Sequence, residues 1–393
     1  MTRHFHNAKF NKIAISGDLS KLGNLKYFLK EERIIDDQIK KEFPISNYGN
    51  PEDSLLVRGI IELMHAYETV DQEKLDLVES LGNIEYLGLA DTKQIILNFK
   101  DEITPITATG IYDFTNSFLD DVFHMGKFTK FCIDRDLKDL LRDNIENLLN
   151  TLKDTERQFR FLKDEDSYYL RGVTSTKYQN YDNHLAIYLS LLALHSYAKK
   201  NNTIFTIEEA ILSDSEIKIF FEQEKPIHIP DFGDLYFGAY VSNNEIREKA
   251  FSLEMRYKIV NSKGKSFSGL YSLDDAIFNL AHHTKIENFK EKISNIFNLD
   301  DLKQITLEHI YAIKSADKLT ENVLFSLIEK IVRSTQKLNK STREKARKMH
   351  SERVINSTMT IIEVFNRMSE ITTDIEEKLY LERIYHEVIA SLK

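Results

Sequence analysis

A chain of 393 residues with 42% hydrophobic and 29% charged content has enough apolar material for two or three packed units, which excludes global disorder. A formal net charge of −9 excludes indiscriminate attraction to polyanions, so any nucleic-acid role needs a local basic surface. The single cysteine, Cys132, excludes an internal disulfide framework and fits a reducing, cytoplasmic setting, with a small buried side chain as its ordinary use.

Residues 1–103 read as a mixed α/β region. Pro51-Glu52-Asp53 opens a helix through Leu56, Ile60, Ile61 and Met64, apolar at helical spacing. A second helix is expected from Asp71 to about Ser80, stopped by Gly82-Asn83. Ile95-Ile96-Leu97 reads as a short strand. Composition changes at Thr104-Pro105, where a central domain of residues 104–295 is expected to begin. It opens with an amphipathic helix carrying Phe114, Phe118, Leu119, Val122 and Phe123. A second runs from about Asp136 to Leu152, with Leu137, Leu140, Leu141, Ile145, Leu148 and Leu149 on one face.

Phe159 and Phe161 then alternate with polar neighbours, Lys163-Asp164-Glu165-Asp166 turns, and Tyr168 and Leu170 resume the alternation, which predicts a hairpin. Asp182 can cap the following helix, Leu185 to Lys199, which is apolar almost all round and is therefore expected between layers. Its apolar run is far shorter than the ~18–20 residues of a membrane span, so no membrane association is expected. Strands follow at Ile217–Phe221, Leu235–Val241 and Leu253–Val260. The last is the clearest: Leu253, Met255, Tyr257 and Ile259 share one face, and Glu254, Arg256 and Lys258 share the other.

From about Leu273 the pattern is helical only, with residues 296–393 as a C-terminal region. Leu324, Leu327, Ile328 and Ile331 form one stripe; Ile355, Met359, Ile362 and Phe365 form another. Thr373 with Glu376 reads as a capping box before Leu381, Tyr385, Val388 and Leu392. The predicted class is α+β: a central antiparallel sheet packed with helices, followed by an all-helical bundle that packs within the chain or against another copy.

One stretch carries a family likeness. Tyr169-Leu170-Arg171-Gly172-Val173-Thr174-Ser175-Thr176-Lys177-Tyr178 is followed by Asp182-Asn183, then Gly233-Asp234, then Ser242-Asn243-Asn244-Glu245, and a strand ending at Asn261-Ser262-Lys263-Gly264. This order resembles the phage/plasmid-like protein family, uncharacterised proteins of prophages and mobile elements. The likeness spans roughly residues 105–285, about half the chain. It departs from the family pattern where Ile246-Arg247 replaces a Val-Gly, where a cysteine is missing, and where Ser262 and Lys263 part the final Asn from its Gly. The resemblance implies a mobile-element accessory protein acting in recombination or replication. It carries no catalytic residues across. Arg171, Tyr178, Asp182, Asn183, Asn243 and Glu245 are expected to be structural: Arg171, Asp182 and Asn183 as a buried polar network that fixes strand-to-helix geometry, and Asn243-Asn244 before Glu245 as a tight connection.

Arg256, Lys258, Lys263 and Lys265 form a cationic run with no acid between, which on an open strand face would track phosphates beside stacking aromatics. From Lys330 to Arg353 nine Lys/Arg stand against Glu344 and Glu352, 9 − 2 = +7, and include Arg343, Lys345, Arg347 and Lys348. The expected function is therefore non-enzymatic nucleic-acid binding, with single-stranded DNA favoured. The alternative is a protein-interaction subunit of phage defence or counter-defence, binding a host or phage protein or itself through its C-terminal helices. No catalytic signature, phosphate loop or metal-ligand spacing is present, so no cofactor or metal is expected.

Overall fold

A computed structural model of the chain describes residues 6–31, 33–100, 105–230, 232–246, 250–314 and 318–392. The boundary expected at 103/104, and Arg247, lie outside the described residues. The N-terminal elements are β1 (Asn7–Asn11), β2 (Leu19–Lys21), α1 (Ile34–Glu42), β3 (Ser54–Arg58) and α2 (Ile60–Glu68). Next come β4 (Glu73–Ser80), β5 (Ile84–Leu89), β6 (Ile95–Phe99), β7 (Ile106–Gly110), α3 (Phe114–Phe123), α4 (Gly126–Asp134), α5 (Lys138–Thr151), β8 (Glu156–Asp164) and β9 (Ser167–Thr174). After α6 (Asn183–Lys200) follow β10 (Phe205–Ser213), β11 (Glu216–Gln223), β12 (Ile227–Ile229), β13 (Gly233–Asn244), β14 (Phe251–Val260), β15 (Ser266–Leu270) and β16 (Phe278–Leu280). The chain closes with α7 (Phe289–Ser294), α8 (Leu299–Lys314), α9 (Glu321–Arg333), α10 (Lys340–Ser351), α11 (Ile361–Ser369) and α12 (Ile375–Ser391).

The class is α+β with a helical C-terminal region, as expected, but the strands form two sheets. The larger runs β15-β14-β13-β11-β10-β3-β2, with β1 on β10, β12 on β13 and β16 on β14; the smaller runs β4-β8-β9-β7-β6-β5. Each sheet has one parallel pair, β3 with β10 and β7 with β9. The apolar side chains gather into two large cores that do not follow the three expected segments, beside a small cluster of Phe220, Tyr240, Leu270 and Leu379. One joins residues 22–70 to residues 181–389, with α6 buried on nearly every side. The other is contained within residues 81–173, where α3 and α5 cover the smaller sheet. The second unit is thus an insertion between α2 and α6, and the chain crosses between units at residues 71–76 and again at 174–182.

Several local expectations change. Residues 73–80 form strand β4, not a helix: Leu75 and Leu77 alternate with Lys74 and Asp76, and the strand pairs with β8 along its whole length. Residues 54–58 are also strand, and the helix begins only after Gly59, whose positive φ of 91° breaks the segment. A short strand, β16, interrupts the stretch read as helix only. The real capping box lies at Thr360 and Glu363, so Ile355 and Met359 precede α11; α12 is capped instead by Asp374. The C-terminal helices do not stand apart: α12 runs along the β15 edge, where Phe267 meets Phe365 at 4.9 Å between ring centroids. Covering that edge removes a row of unpaired backbone groups from solvent. No described helix is long and apolar enough to cross a membrane.

Candidate functional site

The six residues expected to be structural come together where the chain crosses between the two units. Asp182 is the first residue before α6, yet its side chain makes no helix cap. Its carboxylate instead accepts from Arg160 Nη2 at 2.6 Å and Arg33 Nη2 at 2.8 Å. The expected capping role gives way because two guanidiniums, that of Arg160 fully buried, offer far more to a carboxylate than a backbone N–H. Glu245, also fully buried, accepts from Arg171 Nη1, from Lys74 Nζ at 2.8 Å and from the Asn183 N–H at 2.8 Å. Asn243 Nδ2 donates to Asn183 Oδ1 at 2.9 Å and to the Tyr181 carbonyl at 3.0 Å. The Tyr178 ring stacks on His282, 4.6 Å between centroids, with the Arg160 guanidinium 5.9 Å from its centroid on the sheet side.

Sequence reasoning missed half of this cluster. Arg160 donates Nε to Asp76 at 2.8 Å and Nη1 to the Glu245 carbonyl at 2.6 Å, so one side chain ties β4, β8, α6 and β13. Its signal was present: an arginine between Phe159 and Phe161, in a strand lined on one face by core phenylalanines, needs buried acids. Burial pushes the Asp182 carboxyl up, but Arg160 and Arg33 outweigh it and hold the group well below the usual carboxylate range. Burial and the neighbouring Asp182 raise Glu245, and Lys74, Arg171 and Arg160 bring it down to about 2. Arg33, Lys74, Arg160 and Arg171 face Asp36, Asp71, Asp76, Asp182 and Glu245, so the charges nearly cancel. Nearly balanced, buried at its centre and spread over both units, the cluster is built to join them.

The strand cations are a correction. Arg256 and Lys258 do share a face of β14, but that face is covered and neutralised. Arg256 donates Nε and Nη2 to Glu382 of α12, each at 2.8 Å, pairs with Glu208, and lies 4.9 Å from the Phe220 ring centroid. Lys258 Nζ reaches Glu208 at 2.6 Å and Glu222 at 3.6 Å. Burial raises Glu208, and Arg256 with Lys258 bring it down to about 2. These two cations cannot take phosphates without giving up buried carboxylates. Lys263 and Lys265 lie elsewhere, exposed on the β14–β15 turn, where Asn261 Oδ1 accepts both of their backbone N–H groups. Lys263 stands beside Glu363 at the start of α11, lining a 480 Å³ cleft.

The second basic stretch keeps its charge at the surface. On α10, Lys340 pairs with Glu344 at 3.8 Å and Lys348 with Glu352 at 3.6 Å, a solvated i,i+4 stripe. Arg343 and Arg347 lie on a different stripe. Arg343 donates to the Leu338 and Val332 carbonyls, Lys345 donates to the Ile371 carbonyl, and Arg347 is exposed. Among the described residues, none of Lys337, Arg343, Lys345, Arg347 and Arg353 has a carboxylate within ion-pair distance. Also among the described residues, no group of three or more His, Cys, Asp or Glu is placed to hold a metal ion.

No family model, curated protein or solved structure matches this chain.

Proposed function

We propose that this protein binds nucleic acid through the basic surface of its C-terminal helices, centred on α10. One observation carries the reading. In a chain of net charge −9, most cations of residues 330–353 remain on the outside, and among the described residues five of them have no carboxylate within ion-pair distance. Local excess of this kind attracts phosphates and releases their counterions even when the whole molecule is acidic. Arg343, Lys345, Arg347 and Lys348 form the contact, and Lys263 and Lys265 on the β14–β15 turn extend it. Arg256 and Lys258 are not part of the surface. A role in recombination or replication on a mobile element rests on the resemblance of residues 105–285 alone.

The test is fluorescence anisotropy of labelled DNA and RNA oligonucleotides at two salt concentrations. Affinity falls with salt, with a slope of roughly 0.7–0.9 per phosphate neutralised. The triple variant Lys345→Glu, Arg347→Glu, Lys348→Glu lowers both affinity and slope. Unchanged affinity in that variant, or recovery of a stable protein partner with no nucleic acid, removes the proposal in favour of a protein-interaction role.

A further inference from the structure

The α9–α10 hairpin holds an aromatic ring in line with its uncompensated arginines. The two helices run antiparallel: Arg343 Nη1 donates to the Val332 carbonyl at 3.3 Å at one end, and Phe325 meets His350 at the other, 6.4 Å between ring centroids. Arg347 lies four residues beyond Arg343 and three before His350, so the three side chains share one stripe of α10. Phe325 is 56% exposed, although Leu324, Leu327, Ile328 and Ile331 on the same helix are buried. The carboxylates of α10 and its end, Glu344 and Glu352, are engaged on the neighbouring stripe with Lys340 and Lys348. Glu321, at the start of α9, accepts from the Ser357 hydroxyl.

An exposed phenylalanine alone is ordinary. One that meets an imidazole, with Arg347 and Arg343 further along the same stripe of α10 and with Glu321 and Glu329, one turn either side of it, engaged by Ser357 and Arg333, is complementary to a flat apolar ring attached to a phosphate. Paired bases in a duplex hide their faces in the stack, so only an unpaired base can lie on such a ring. We infer that Phe325 is a base-stacking platform and that the surface takes single-stranded nucleic acid, with a base on Phe325 and the adjoining phosphates on Arg343 and Arg347. This inference rests on the nucleic-acid reading above and adds the strandedness of the ligand and the residue that selects it.

The experiment uses the full chain, a labelled single strand and the duplex of the same sequence. Phe325→Ala is expected to weaken single-strand binding about tenfold, the usual scale for losing one base–aromatic stack, with duplex affinity and salt slope unchanged. Phe325→Tyr restores binding because it restores the ring. Arg347→Glu weakens both ligands. If Phe325→Ala changes neither ligand, or both equally, while Arg347→Glu still weakens both, the stacking platform is overturned and the basic surface stands. If the wild-type chain shows no salt-sensitive binding to either, the nucleic-acid reading falls and the platform with it.

Discussion

Replacing Arg160 by methionine tests the junction directly. The side chain is fully buried and donates to Asp76, to Asp182 and to the Glu245 carbonyl. Methionine fills much of the volume but leaves three acceptors short of a donor. Removing one member of a buried ion pair costs about 3–5 kcal/mol, because the remaining charge stays in a poorly polarisable surrounding. Asp182 keeps Arg33 at 2.8 Å and Asp76 is partly solvated, which places the expected loss near the lower end, about 3 kcal/mol. Equilibrium urea unfolding followed by circular dichroism and tyrosine fluorescence reads this out. The double variant Arg160→Met, Asp182→Asn is expected to be more stable than the sum of the single losses by more than about 1 kcal/mol, since it removes both charges. A single-variant loss below about 1 kcal/mol with an unchanged urea slope, or strict additivity in the double variant, refutes the idea that this ion pair joins the two units.

Acid titrates the same contacts. Glu245 and Glu208 are both held near 2 in the folded chain, below the ordinary carboxylate value of about 4.3. Their contribution is therefore complete above about pH 4.5 and is lost as pH falls from there towards 2; a melting temperature flat between pH 6 and pH 3 contradicts it. Arg256→Met is expected to lower stability by about 2–4 kcal/mol, by stranding Glu382 and leaving Glu208 to Lys258 alone, while leaving oligonucleotide affinity unchanged; weaker binding by a folded variant returns Arg256 to the interface. In Gly238→Ala the new methyl carbon meets the Phe221 carbonyl oxygen at 1.9 Å, so β11 and β13 must separate locally. A loss of about 2 kcal/mol or more in urea unfolding is expected, and a neutral effect shows that the strands yield easily.

The fold brings together residues that lie far apart in the chain. Arg171 lies within β9, Asp182 and Asn183 stand at the start of α6, and Asn243 and Glu245 at the end of β13; all meet at the crossing between units. The polar face of β14 shows the same principle with the opposite consequence for function. Three residues of α12 sit over it or beside it: Glu376 reaches Lys218 at 2.9 Å, Glu382 takes Arg256, and Arg383 meets Glu254 at 2.5 Å. What reads as an open cationic strand is the seat of the last helix.

Legibility follows the range of the interaction that decides each feature. The β8–β9 hairpin, β14, α5, α6 and α9 were readable because their apolar residues repeat at strand or helix spacing within a few turns. Residues 71–80 were misread because the strand-like alternation of Leu75 and Leu77 is short, and nothing local announces the pairing with β8, which lies about 80 residues away. The capping box was placed at Thr373 because Thr-x-x-Glu is a local pattern, yet Asp374 has the better geometry for the α12 N–H groups. Arg347 and Lys348 are exposed on α10, away from its buried Thr342 and Ala346.

Spacing along the chain dictates which face of an element is apolar and where cations accumulate, since both depend on neighbours a few residues apart. Which charges find partners is settled only when distant segments pack. Arg256 waits on Glu382, 126 residues later, and Arg160 on Glu245, 85 residues later. Electrostatic pairing acts through space, and carboxylates brought by other elements engage the two strand cations that read as phosphate ligands.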